Sequence, residues 1–148
     1  MSTDNIIACL DQKVILLTQI WDLTKQIELR CMQDDIQLDD FLEQRGMFIA
    51  RINKCNSLID RLTAEFPPEQ RERMEKLLNE KTPEADCVSE EELRICKLSQ
   101  ECRGILQKAA VLDQSARDKL RKQCDELREK INQGRRTEGH SSMFQDAK

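Results

Sequence analysis

Apolar residues recur at Ile7, Leu10, Val14, Leu17, Trp21, Ile27 and Cys31, with the semi-polar Thr24 between them. Steps of three and four place them on one face of a helix. Ile6, Leu16, Ile20 and Leu23 widen the stripe beyond a two-stranded seam, so a first helix over 4–32 is expected to touch more than one neighbour. Ser2, Thr3 and Asp4 are cap-competent at its start. Gln33, Asp34 and Asp35 interrupt the pattern and suit the first turn of a second helix over 36–65. There the spacing returns at Leu38, Phe41 or Leu42, Arg45, Phe48 or Ile49, Ile52, Cys55, Ile59, Leu62 and Phe66, until Pro67 and Pro68 remove backbone donors and hold Phe66 extended. Arg45 is the one charged member of that seam. Its stem either snorkels to water or its guanidinium forms an ion pair inside the helical hairpin.

The stretch 68–80 is expected to form a short connecting helix, with Glu69–Arg73 and Glu72–Lys76 as i,i+4 pairs and Met74, Leu77 and Leu78 as its apolar contacts. Residues 81–88, KTPEADCV, have no periodic apolar face and read as a linker or hinge. Ser89 and Glu92 have the spacing of a capping box, and Glu90 and Glu91 add charge that the helix dipole favours. From there a stripe runs through Ile95, Leu98, Cys102, Ile105, Ala109, Leu112, Ala116, Leu120, Cys124, Leu127 and Ile131, predicting a long helix over 89–133. Gly134 sits where a left-handed cap ends such a helix, and 134–148 is expected to be a flexible tail.

Together these elements predict an all-α fold, an elongated antiparallel bundle in one domain over 1–133. The last helix, at ~1.5 Å per residue, outruns the first two by roughly 20 Å. Either it overhangs them or it breaks near Gly104 and folds back as a lid. In the overhanging case Leu112, Ala116, Leu120, Cys124, Leu127 and Ile131 are the candidate partner-binding residues, because apolar area left in water costs roughly 25 cal/mol per Å². Ala109, Ala110, Ala116 and Cys124 narrow the helix and serve a foreign helix or the close packing of the chain's own helices equally well. Trp21 is expected to be a largely buried structural anchor.

Composition removes several other readings. Charged residues make up 35% of the 148, and aromatics only 3%, which suits long solvated helices better than an enzyme core. A net charge of -4 gives no field for nucleic acid or acidic lipid. Neither a cleaved signal nor a membrane-inserting run is expected in the N-terminal stretch. The seven cysteines include no C-x-x-C pair and are joined by the single His140, so no structural zinc and no other cofactor is expected. Several cysteines fall in apolar stripes, which reads as free thiols in a reducing cytoplasm. Cys87, in the linker, is the most exposed candidate for thiol chemistry. The four glycines form no phosphate-binding loop, and His140, in the tail, is poorly placed for catalysis.

The stretch DDIQLDDFLEQRGMFIARINKCNSLIDRL resembles the second-helix signature of bacterial flagellar type III export chaperones of the FlgN and FliT kind, with Leu42, Glu43, Arg45, Ile49 and Ile52 carrying the match. The ending INQGRRTEGHSSMFQDAK is similar to FlgN-type termini. The resemblance implies a cytosolic, non-catalytic chaperone that holds the C-terminal helical segment of a hook-filament junction or filament-cap subunit and hands it to the export apparatus. It further implies cargo binding by the later helix, at Leu112, Leu120, Cys124, Leu127 and Ile131. Docking at the export gate is associated in that family with an aromatic near the C-terminus, often Tyr. This chain has no Tyr, and Phe144 is the one aromatic in the tail. The alternative is a homo-oligomeric coiled-coil adaptor or structural protein with no export role, in which a second copy, as in a homodimer, covers the same stripe.

Overall fold

The computed structural model describes residues 2–31 and 37–146, with side chains described over 3–31 and 37–135. Four α-helices follow one another: α1 Ser2–Arg30, α2 Asp39–Ala64, α3 Pro68–Leu78 and α4 Glu90–Asp146, with a 3-10 turn at Glu84–Asp86. The fold is an all-α bundle with a long C-terminal helix, as the periodicity predicts. The expected opening of the second helix at Asp34 and Asp35 lies outside the described residues. Among the described residues no helix is long and apolar enough to cross a membrane.

α1 is the spine. The pairing of Leu10 with Ile59, Leu17 with Ile52 and Ile27 with Leu38 makes α2 antiparallel to it. α4 runs parallel to α1: Asp11 meets Arg94 near the base, and Cys31 meets Gln123 near the top. The wide stripe of α1 accounts for this, since Ile6, Leu10, Leu16, Leu17 and Ile20 are all buried in clusters shared with residues of α2 and α4. α1 packs on both α2 and α4, whose backbones do not approach each other. α3 packs against α2 and α4 at the base only.

Three apolar clusters stack along the axis. The base joins Ile6, Leu10, Ile59, Met74, Leu77 and Ile95; the middle Leu16, Leu17, Ile20, Ile52 and Cys102; the top Ile27, Cys31, Leu38 and Ala116. Each fully buried Leu or Ile contributes roughly 1.5–3 kcal/mol. The buried threonines add no unmet polar groups, because Thr24 and Thr63 donate their hydroxyls to the carbonyls of Ile20 and Ile59, both at 2.7 Å.

The element ends follow from local chemistry. Pro68 opens α3 at a position where a missing N–H costs nothing. Arg71 Nη2 donates to the carbonyls of Ala64 and Phe66 at 3.1 and 3.2 Å, closing the end of α2. α3 ends in a Schellman turn, with Lys81 N–H on Lys76 O at 2.9 Å and Glu80 N–H on Leu77 O at 3.3 Å. Glu80 takes the left-handed position, φ 59°, where glycine is usual. The capping box forms at α4: Glu92 N–H donates to Ser89 Oγ, and Glu92 Oε1 accepts from Val88 N–H, both at 3.1 Å. The linker is pinned rather than loose, since Arg73 Nη2 donates to Asp86 O at 2.6 Å and Thr82 is buried.

One open alternative about α4 is decided and one expectation is corrected. It is continuous through Gly104, so no lid folds back along its length, and it continues through Gly134 to Asp146. Gly134 has an ordinary negative φ, and a mid-helix glycine costs only about 1 kcal/mol relative to alanine, too little to end a helix whose neighbours are good helix formers. The segment expected to be a tail from 134 is therefore helical as far as Asp146. With 57 residues α4 spans about 86 Å against about 44 Å for the 29 of α1.

Candidate partner-binding surfaces

The stripe proposed for partner binding is divided by the end of the hairpin. Its first half is used internally: Ala116 is 2% exposed in the top cluster, Leu120 packs on the same cluster, and Leu112 is half-buried. Ala109 is also buried, so Ala109 and Ala116 serve close packing between the chain's own helices, whereas Ala110 and Cys124 are exposed. Gln123 Nε2 donates to Cys31 O at 2.7 Å, the farthest hydrogen bond along α4 to the end of α1 among the described residues. Beyond it Cys124 is exposed, Leu127 is 58% exposed and Ile131 45%. These three lie on one face at i, i+3 and i+7, on a helix that no other element covers among the described residues. Phe144 and His140 lie in 136–146, whose side chains are outside the described residues.

Arg45 is an ion-pair residue, but across the bundle rather than inside the hairpin. Its Nη1 donates to Asp113 Oδ1 of α4 at 2.9 Å and lies 3.4 Å from Thr24 Oγ1 of α1, while Arg117 Nε takes the other oxygen of Asp113 at 2.8 Å. Trp21 is partly buried. It lies at the rim between α1 and α4, with Lys25 Nζ 3.6 Å and Lys108 Nζ 5.1 Å from its ring. Its position one residue away from the Leu16–Ile20 line turns the ring to the edge of the contact. Arg73, expected to pair with Glu69, instead reaches Glu92 at 2.8 Å, because the base of α4 brings a better-oriented carboxylate. Glu72–Lys76 forms at 3.5 Å as expected.

Electrostatic perturbations mark anchoring points. Arg73 hydrogen bonding holds the Glu92 carboxyl below the ordinary carboxylate range, with Val88 N–H assisting against the effect of burial. Lys119 does the same for Glu28, assisted by Ser115, and fastens α4 to α1. Burial pushes the thiols of Cys9, Cys31, Cys96 and Cys102 up, so they stay protonated and unreactive at neutral pH. No group of three or more His, Cys, Asp or Glu side chains able to hold a metal ion occurs among the described residues.

A second surface has no counterpart in the sequence reading. Because α2 and α4 stand apart on either side of α1, a cleft of 780 Å³ opens between them above the end of α3. Leu10, Leu17, Ile52, Ile59 and Cys102 form its apolar floor and walls, and Leu106 stands on its rim, 55% exposed. The cleft depends on where α3 stops, and the one residue that could have signalled it is Glu80, at the C′ position of that helix. Comparison with protein-family models, with curated proteins and with solved structures finds no match for this chain.

Proposed function

We propose that this chain is a non-catalytic binding protein whose ligand is an amphipathic helix of another polypeptide. On the resemblance carried by Leu42, Glu43, Arg45, Ile49 and Ile52, we assign it as a cytoplasmic export chaperone. Its cargo is the C-terminal helical segment of a flagellar hook-filament junction or filament-cap subunit, which it keeps unassembled and delivers to the type III export apparatus.

The observation that carries the binding role is the overhang of α4, where Cys124, Leu127 and Ile131 leave apolar surface on one face past the hydrogen bond of Gln123 to the end of α1. Exposed apolar side chains repeated on one helix face are matched by a helix bearing the complementary stripe. Phe144 is the candidate for docking at the export apparatus, so Phe144→Ala is expected to leave cargo capture intact and to impair delivery.

The test is capture of synthetic C-terminal peptides of the junction and cap subunits by the purified full-length protein, with the molecular mass measured in parallel. A monomer that binds one of these peptides supports the chaperone. A stable symmetric dimer through α4 that binds neither supports the homo-oligomeric adaptor and overturns the export role.

A further inference from the structure

The corners of the bundle are unevenly filled. α2 and α4 flank α1, and the fourth corner holds α3 for only 11 residues. Past the turn at Asn79 and Glu80 that corner is vacant, and the cleft lies there, with the Arg45–Asp113 pair linking α2 to α4 farther up. Three buried side-chain atoms of the described residues have no hydrogen-bond partner: Arg71 Nε, Glu80 Oε1 and Ser99 Oγ. All three residues line this one cleft, and Ser99 is only 7% exposed. Folded proteins leave few such groups, and their gathering around one opening points to something that is bound there. Glu80 also holds a left-handed conformation against its backbone preference, with its other oxygen accepting from Arg103 Nη1 at 3.1 Å.

We propose that the vacant corner is the seat of the N-terminal end of a partner's amphipathic helix, entering in line with α3 and starting at Glu80. The occupant is a helix because α3, an amphipathic helix with Met74 and Leu77 buried at the base, already fills the lower part of the same corner. Its N-terminus is the end at Glu80 because a helix start presents four N–H groups without intrahelical acceptors and the positive end of its dipole, which suit a carboxylate with an unmet oxygen. Ser99 Oγ and Arg71 Nε–H serve polar side chains of that first turn, and Leu106 is covered by its apolar face. From Ser99 to Leu127 is about 42 Å along α4. A single partner helix of that length passes over the Arg45–Asp113 pair and reaches the Leu127–Ile131 strip. The seat thus deepens, and rests on, the binding role proposed above.

Photo-crosslinking of the full-length protein, with p-benzoylphenylalanine in place of Leu106 or of Leu127, tests the seat. Two probes are used: the C-terminal helical peptide of a hook-filament junction subunit, and a designed amphipathic helix of equal length and unrelated sequence. Leu106 is expected to crosslink the N-terminal half of the bound peptide and Leu127 the C-terminal half. Glu80→Gly is expected to weaken peptide binding about fivefold or more while leaving the unfolding midpoint unchanged or higher, because glycine suits the left-handed turn. A purely structural role for Glu80 would leave binding untouched. Capture with crosslinks at Leu127 alone, a reversed polarity, or undiminished binding by Glu80→Gly overturns the seat and leaves the chaperone role standing. A designed helix that crosslinks at Leu106 while the flagellar peptide is not captured supports the seat and overturns the export role. Capture of neither probe overturns both.

Discussion

The overhang makes a quantitative demand on the double substitution Leu127→Asp with Ile131→Asp. These side chains are 58% and 45% exposed, so about half of each is left for a partner to cover. Full burial of such a side chain is worth roughly 1.5–3 kcal/mol, which puts the gain from covering both halves at about 2 kcal/mol. Placing two carboxylates in the contact adds a desolvation penalty of at least about 1 kcal/mol each. The sum, about 4 kcal/mol, corresponds to nearly a thousandfold loss of affinity. The bundle itself should not register the change beyond the lower helix propensity of Asp in an unpacked extension, about 0.5 kcal/mol per site. Leu120→Asp is the contrasting perturbation. Leu120 packs on Ile27, Cys31, Leu38 and Ala116, so a carboxylate there costs folding roughly 2–4 kcal/mol. Titration calorimetry with the junction-subunit peptide, and urea unfolding followed by circular dichroism, separate the two. Undiminished peptide binding by the Leu127 and Ile131 double variant, or a fall in its urea midpoint as large as that of Leu120→Asp, would refute the placement of the strip outside the fold.

Acid should loosen the anchoring of α4. The Glu28 and Glu92 carboxyls titrate below their ordinary range through Lys119 and Arg73. Their contribution is therefore complete above the unfolded value of ~4.3 and lost as pH falls through the lowered folded values. A urea midpoint that declines on acidification, with a shallower decline in Glu92→Gln, is the expected result; a midpoint that rises on acidification contradicts it. The Arg45 bridge is expected to show in a double-mutant cycle of Arg45→Met and Asp113→Asn a coupling of about 0.5–1.5 kcal/mol, because both side chains are largely shielded. A coupling indistinguishable from zero would mean that the pair adds only contact and no interaction. Cys87→Ser is expected to shift stability by under about 1 kcal/mol, since its thiol lies at the edge of the base cluster and makes a long 3.8 Å contact with Pro83 O; a larger loss would reveal a structural role for the linker thiol.

The helices were legible because their stripes are regular: the Ile6 to Cys31 pattern, the Pro67–Pro68 break and the Ser89 capping box each act within a few residues of themselves. A broad stripe gives the direction of burial only to within about one residue's turn of the helix, so it put Trp21 on the packed side without showing that Lys25 and Lys108 meet its ring. Gly134 misled for a related reason. A glycine at the end of an apolar stripe is also compatible with a helix that continues in water, supported by charged neighbours of high propensity. The apolar stripe of α4 was found by its period, but period alone does not say where α1 ends beside it. That boundary, between Leu120 and Cys124, is a tertiary fact set by Gln123 reaching Cys31. The cleft was invisible for the same reason, since it arises from two helices that do not meet and from a short third helix that stops at Glu80.

Cys124 offers the most direct measurement, as a native reporter inside the strip. Its alkylation rate by iodoacetamide, followed by mass spectrometry on the peptide-free wild-type protein, should match that of an unhindered thiol while Cys9, Cys31, Cys96 and Cys102 react only on unfolding. Addition of the junction-subunit peptide should slow Cys124 at least about tenfold. A Cys124 already protected in the monomer, or one whose rate is untouched by a peptide that binds, would contradict the claim that another polypeptide covers this face.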